Sequence, residues 1–282
     1  MDGISRVVVL GAHGMLGTDI CQIFSENGVP VVALSSKNID ITDPKSVAEN
    51  LDQFEISWLI NCAAFTKVDA CETEKDRALQ TNGNGPKYLA QYCSERNIPL
   101  VHFSTDYIFD GTKLSPYAED DTPNPVNYYG ETKLIGEQNI QKVWGQFYIF
   151  RVQWLYGNNG NHFVKTILRL AQERPELKIV ADQWGSPTWT REVAHGVYTA
   201  FREKPLWGIY NFASHGYTTW FEFAEEFLKL KNIATPILRV TTEQFPLPAK
   251  RPKNSRLDLG KFFSSCTSKP KTWQQSIKEF LL

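Results

Sequence analysis

The chain has 282 residues, 42% of them hydrophobic, with 30 Lys and Arg set against 31 Asp and Glu for a formal net charge of −1. That length suits one large domain or two fused lobes. The near-balance of charge argues against nucleic acid or a membrane surface as partner, since such partners are held largely by a basic excess.

The first apolar run, Val7–Leu10, is too short for a signal segment and stops at Gly11. No apolar run approaches the roughly 18 residues that a membrane span needs. The reading is therefore a cytoplasmic protein with no membrane partner. Short apolar runs then recur as strand candidates at Val7–Leu10, Val31–Leu34, Trp58–Asn61, Leu100–Ser104 and Phe147–Val152. They are continuous rather than alternating, as in strands buried on both faces of a parallel sheet. Helical patterns lie between them: Leu16–Asn27, a helix opened by Asp43 and Pro44 and running to about Phe54, Glu74–Arg96 with a break near Gly83–Gly85, and Tyr129–Val143. Repeated βα units of this kind specify a doubly wound, Rossmann-like α/β fold with a parallel sheet.

The second half is different in character. Seven of the eight tryptophans lie at or after Trp144. Helices are expected at Phe163–Glu173, Arg191–Lys204, Trp220–Leu230 and Trp273–Leu282, two of them opened by capping boxes, Thr219 with Glu222 and Thr272 with Gln275. The expected organisation is a dinucleotide-binding domain over residues 1–152 with return segments near 182–212. A smaller α/β substrate lobe takes 153–181 and 213–282. Trp144, Trp207, Trp220 and Trp273 are read as core packing, and Trp154 and Trp184 as candidates to lie against a ligand.

Five scattered cysteines without a CxxC pair, and five histidines without HExxH, give no transition-metal signature. The acidic run Glu119, Asp120, Asp121 offers a Mg²⁺ option, as a bridge between two subunits, against the plainer reading of a solvated loop.

Three features carry chemistry. Gly11-Ala-His-Gly14-Met-Leu-Gly17 follows the first strand and opens a helix. Gly11 permits the turn, Gly14 the close approach of a pyrophosphate, and Gly17 tight packing of helix on sheet. The second strand ends in Leu34-Ser-Ser36-Lys37 without a carboxylate, which leans toward the 2′-phosphate of NADPH, although Asp40 follows closely and NADH stays open. Tyr129 and Lys133 are four apart at the start of a helix and share a face. An ammonium beside a phenol draws its pKa down from ~10 toward working range. Thr105, just after the fourth strand, stands where doubly wound sheets bind ligands, and its hydroxyl can reach a reacting carbonyl. A local basic cluster, Lys250, Arg251 and Lys253, sits in a proline-stiffened loop suited to a diphosphate.

With these motifs the chain resembles the extended short-chain dehydrogenase/reductases, and most closely their dTDP-4-dehydrorhamnose reductase family. The resemblance also rests on Asp40-Ile-Thr-Asp43, Asn61-Cys-Ala-Ala-Phe-Thr-Lys-Val-Asp69, Ser104-Thr-Asp-Tyr-Ile-Phe-Asp-Gly111, Arg151-Val-Gln-Trp-Leu-Tyr-Gly157, Asp182-Gln-Trp-Gly-Ser-Pro-Thr188 and Arg251-Pro-Lys-Asn-Ser-Arg-Leu-Asp258. It implies reduction of a dTDP-4-keto-6-deoxyhexose by NADPH or NADH, by a chain that pairs as a homodimer. It implies that Gly14, Met15 and Leu16 cradle the pyrophosphate, that Asp40 and Ile41 flank the adenine, and that Ala63, Ala64 and Thr66 line the nicotinamide side. Tyr129 would be the proton donor, with Lys133 on the nicotinamide ribose biasing it. Thr105 and Asp106 would contact the sugar, Trp154 would lie against the substrate, and Arg251, Asn254 and Ser255 would hold its nucleotide part. Val152-Gln153 and Cys62 depart from the family's usual residues. A related sugar-nucleotide 4-ketoreductase or epimerase, or a non-catalytic NADP-binding regulatory subunit, fits the same residues.

Overall fold

A computed structural model describes residues 6–282. Six parallel strands form the main sheet: β1 (Arg6–Leu10), β2 (Val31–Leu34), β3 (Ile56–Asn61), β4 (Leu100–Thr105), β5 (Phe147–Val152) and β6 (Gly208–Asn211). Their order is β6-β5-β4-β3-β1-β2. The order reverses at β1, so a crevice opens where the β1 and β3 connections leave in opposite directions. The first five strands lie where the apolar runs predicted them. β6 was not predicted, because Gly-Ile-Tyr-Asn is a four-residue run at the sheet edge with only Tyr210 and Asn211 buried.

Each face of the sheet carries helices, as an all-parallel sheet requires. Met15–Glu26 and Thr190–Glu203 cover one face, where Ile20, Ile23, Phe24, Val193 and Val197 join one hydrophobic core. On the other face Val47, Leu51, Leu89, Cys93 and Ile140 join a second core. The helix opened by Asp43 ends at Leu51 rather than near Phe54. A third core, built from Tyr156, Val164, Ile179, Phe223, Phe227 and Ile277, gathers Phe163–Glu173, Trp220–Leu230 and Trp273–Leu281 around the two-stranded pair Leu177–Val180 and Ile237–Val240. Both predicted capping boxes form.

The expected break within Glu74–Arg96 is a π-helical turn at Gln80–Asn84, between helices Lys75–Leu79 and Gly85–Arg96. Such turns often mark functional positions. This one turns the buried Asn82 side chain out of the helix. Its Oδ1 accepts from Phe65 N at 2.8 Å and its Nδ2 donates to Phe65 O at 3.0 Å, pinning the loop after β3. Among the described residues, no helix is long and apolar enough to cross a membrane.

Candidate active site

The glycine loop leaves β1 as its spacing demands. Gly11 has φ +67°, and a Cβ there would come within 2.7 Å of Ala63 N; one at Gly17 would meet Gly11 O at 2.3 Å. Any side chain would therefore push the Met15–Glu26 helix off the sheet. Gly14 caps that helix without a side chain, leaving the first-turn N–H groups directed at the crevice. A cleft of about 500 Å³ opens there, lined among others by Gly11, Gly14, Ser36, Asp40, Ile41, Ala63 and Ala64. A bare-backbone cradle at a helix N-terminus fits the pyrophosphate of a dinucleotide.

The remaining residues expected at the cofactor take these places. Leu16 and Gly17 are buried under the loop, Met15 packs beside Gly157, and Lys37 and Thr66 are exposed and outside the lining. Asp40 uses its carboxylate to accept from Thr42 N and Oγ1. Arg77, which no motif pointed to, lines the cleft, with its guanidinium 4.7 Å from the Phe65 ring centre and paired with Glu74 at 2.9 Å.

At the carboxyl end of β4, Thr105 donates to Asp106 Oδ1 at 2.9 Å and accepts from Tyr107 N at 3.2 Å. The helix Tyr128–Val143 begins opposite, capped by the Asn127 side chain, which accepts from Gly130 N at 2.8 Å. Tyr129 meets the Tyr107 ring edge-on at 6.0 Å. Burial holds the Tyr129 phenol above its ordinary value and Asp106 adds to this, while a hydrogen bond with Thr105 pulls it down. Asp106 is itself buried, with Oδ2 lacking a hydrogen-bond partner. Burial pushes its carboxyl up to about 7, against the favourable side chains of Ser255 and Thr105.

Lys133 shares the helix face of Tyr129, as the spacing predicted. It is buried, donates to Phe103 O at 2.6 Å, and lies 3.2 Å from His102 Nε2. Burial brings the lysine down to about 8, with Glu137 opposing.

The basic loop is tied into the chain by long-range partners. Arg251 grips Asp69 with two bonds, of 2.9 and 3.0 Å, and donates to Ala249 O at 2.6 Å. Lys253 pairs with Glu243 at 2.9 Å and Asp182 at 3.5 Å. Asn254 donates to the carbonyls of Lys113 and Ser115 and accepts from Arg256, so its amide is spent within the chain. Three cations adjacent in sequence are thus sent to separate carboxylates or to solvent. Arg251, Lys250 and Tyr107 line a second cavity of about 890 Å³, with Phe163, Trp220 and the Phe245–Pro248 loop on its other sides. Trp154, at φ +47°, stacks on Trp220 with ring centres 3.6 Å apart. Trp220 therefore belongs to a cavity wall and not wholly to the core. Trp144 and Trp273 do pack inward, while Trp207 and Trp184 remain 39% and 41% exposed.

The acidic run does not converge on an ion. Glu119 accepts from Asn211 N at 2.8 Å, Asp121 pairs with Lys113, and Asp120 is exposed. Among the described residues, no group of three His, Cys, Asp or Glu is placed to hold a metal. What motif reading missed are the Asn82 pin, the Asp69–Arg251 clamp and a buried Asn61–His102–Lys133 chain. Asn61 and Asp69 sat inside a quoted motif, but nothing local to them names partners so far away in sequence.

Residues 5–282 match the RmlD substrate binding domain family. The spore coat polysaccharide biosynthesis protein SpsK of Bacillus subtilis is 37% identical over 278 residues, covering 99% of this chain and 97% of that protein. A solved dTDP-4-dehydrorhamnose reductase from Clostridium acetobutylicum is 38% identical, with a TM-score of 0.94 and 98% of both chains covered. One from Bacillus anthracis, in complex with NADP, is 34% identical, with a TM-score of 0.95 and 98% of both chains covered.

Proposed function

This chain belongs to the RmlD substrate binding domain family, and on that premise we propose that it is an NAD(P)H-dependent reductase that converts the C4 ketone of dTDP-4-dehydro-6-deoxy-L-mannose to the alcohol of dTDP-L-rhamnose. The observation that carries the reading is the meeting of Thr105, Asp106 and Tyr129 at the carboxyl end of β4, in the sheet whose crevice holds the glycine cradle. NADP in the Bacillus anthracis relative, and a β2 end without a carboxylate, support NADPH as the preferred cofactor.

A nicotinamide cofactor held by the Gly11–Gly17 cradle would supply the hydride for C4 of the sugar. Every other task falls to side chains of this chain. Tyr129 gives its phenolic proton to the oxygen that becomes the alkoxide, and Thr105 hydrogen-bonds the same oxygen and holds the carbonyl in line. A phenol kept above its ordinary pKa stays protonated until negative charge develops within its reach. To reach that oxygen the Thr105 hydroxyl turns its one proton away from Asp106, which accepts it at 2.9 Å in the free site. The 890 Å³ cavity takes the nucleotide part of the substrate, with the Trp154–Trp220 stack behind it.

The test is NADPH oxidation by the purified protein with dTDP-4-dehydro-6-deoxy-L-mannose. Stoichiometric oxidation with appearance of dTDP-L-rhamnose is expected, with a lower KM for NADPH than for NADH. Retention of tightly bound NAD without net oxidation would move the protein to the epimerases. Nucleotide binding without turnover would make it a binding subunit.

A further inference from the structure

One wall of the 500 Å³ cleft is formed by Phe65, Arg77 and Thr81, away from the glycine cradle and the end of β2. The Arg77 guanidinium lies over the Phe65 ring, 4.7 Å from its centre, and Nη1 donates at 2.9 Å to Oε2 of Glu74, three residues earlier. The ring beneath it is fixed. Phe65 is buried, packs on Cys71 and Ala78, and has both its N–H and its carbonyl bonded to the Asn82 side chain. One face of the guanidinium is therefore taken by Phe65 and part of its edge by Glu74. The other face is open, since the side chain is 66% exposed and lines the cleft.

The same wall runs on toward the segment after β2. Thr81 lies about one turn beyond Arg77, and Gly85 about one turn beyond Thr81. Ile41 packs against Gly85, where a Cβ would lie 2.9 Å from Ile41 Cδ1. Ser35 and Ser36 line the cleft at the carboxyl end of β2, where a doubly wound sheet meets the adenosine ribose. With the pyrophosphate on the glycine cradle and the ribose at these serines, the base is the part of a dinucleotide left for the stretch between Ile41 and Arg77.

On the reading that this cleft holds NAD(P)H, we infer that Arg77 is a cofactor-binding residue whose guanidinium, backed by Phe65, is a shelf for the adenine ring. A guanidinium is planar and weakly hydrated, and it stacks on aromatic faces as well as pairing with anions. Phe65 and Glu74 hold it in one orientation before the nucleotide arrives, so less side-chain freedom is lost on binding. Glu74 also decides between the two uses. Its carboxylate repels a phosphate dianion brought to the same guanidinium, whereas a neutral base brings no charge to repel. The shelf therefore serves both cofactors alike and leaves the 2′-phosphate to the end of β2.

The test is isothermal titration calorimetry of NADPH and of NADH, without sugar, on the wild type, Arg77→Ala and Arg77→Lys. Arg77 is exposed and its pair with Glu74 is a surface pair, so neither substitution should disturb the fold. The inference predicts that Arg77→Ala weakens both nucleotides by the same factor, about fivefold. Arg77→Lys, with a charge but no plane, should recover little of that loss. Unchanged affinity for both nucleotides overturns the shelf. So does full rescue by lysine, or a loss confined to NADPH, either of which would make the charge and not the plane the working part. Failure of the wild type to bind either nucleotide overturns the dinucleotide reading and the shelf with it, whereas failure of the shelf alone leaves wild-type binding in place.

Discussion

The wall of Thr105, Tyr129 and Lys133 and the loop of Lys250, Arg251 and Lys253 look alike in sequence, each a set of groups suited to one task. The fold treats them in opposite ways. Tyr129 and Lys133 stand on one regular helix face against β4, so the period of the helix fixes their common direction. The basic residues sit in irregular chain between Pro248 and Asn254, where each side chain is free to find its own partner. Arg251 finds Asp69, 182 residues away, and Lys253 finds Glu243 and Asp182. Spacing predicts shared direction on a regular element, whereas in a loop it predicts little more than local charge.

The largest effect should come from the wall. Tyr129→Phe removes the one proton that the site offers to the nascent alkoxide and leaves the ring packing on Tyr107 intact. General acid catalysis contributes ~10²- to 10⁴-fold, so kcat should fall by at least about 100-fold with little change in nucleotide affinity. Steady-state kinetics with a nucleotide titration checks both halves. Turnover near the wild-type value would mean that a different group, such as the buried Asp106, gives the proton.

A middle-sized effect separates two roles for Arg251. If its guanidinium holds substrate diphosphate directly, Arg251→Ala should be far worse than Asp69→Ala, and freeing the arginine from Asp69 should tighten binding. The two-pronged bond points instead to a clamp that ties the Ala249–Arg251 segment to the loop after β3. Either substitution should then raise the substrate KM roughly tenfold, and the double variant should be little worse than either single one, since residues in direct contact do not act additively. Additive losses in that cycle would break the clamp.

How far the sequence could be read follows the same line. Continuous apolar runs place five of the six main strands, and the glycine spacing places the cradle, because both depend on neighbours within a few residues. β6 was hidden because an edge strand needs no long apolar run. The π-turn at Gln80–Asn84 was foreshadowed only as a break near its glycines. Lys133 was found on the right face, yet its partners, Phe103 O and His102, come from a strand thirty residues earlier. Trp220 was assigned to the core because nothing local shows that Trp154 will stack on it. Distant partners decide electrostatics, and motif reading carries no information about them.

The smallest effect concerns the cofactor's 2′-phosphate, where sequence and structure divide most evenly. Lys37 is the natural cation for that phosphate by position after β2, but it is exposed and stands outside the cleft lining, whereas Ser36 lies in it. A fully hydrated ammonium near a phosphate gains little, because water screens the pair and the long side chain loses freedom on being held, for a net of ~0–1 kcal/mol. Lys37→Ala should therefore change the ratio of kcat/KM for NADPH to that for NADH by no more than about fivefold. Ser36→Ala should do at least as much, since its hydroxyl is placed in the lining and needs no long stem to be ordered. The contribution of Lys37 should also fade as salt rises from about 0.05 to 0.5 M, as an exposed pair must. A loss of tenfold or more on removing Lys37, insensitive to salt, would mean that the side chain folds into the cleft when the nucleotide binds. In that case this exposed cation would behave like the wall, directed by its place on the fold, and not like the loop around Arg251.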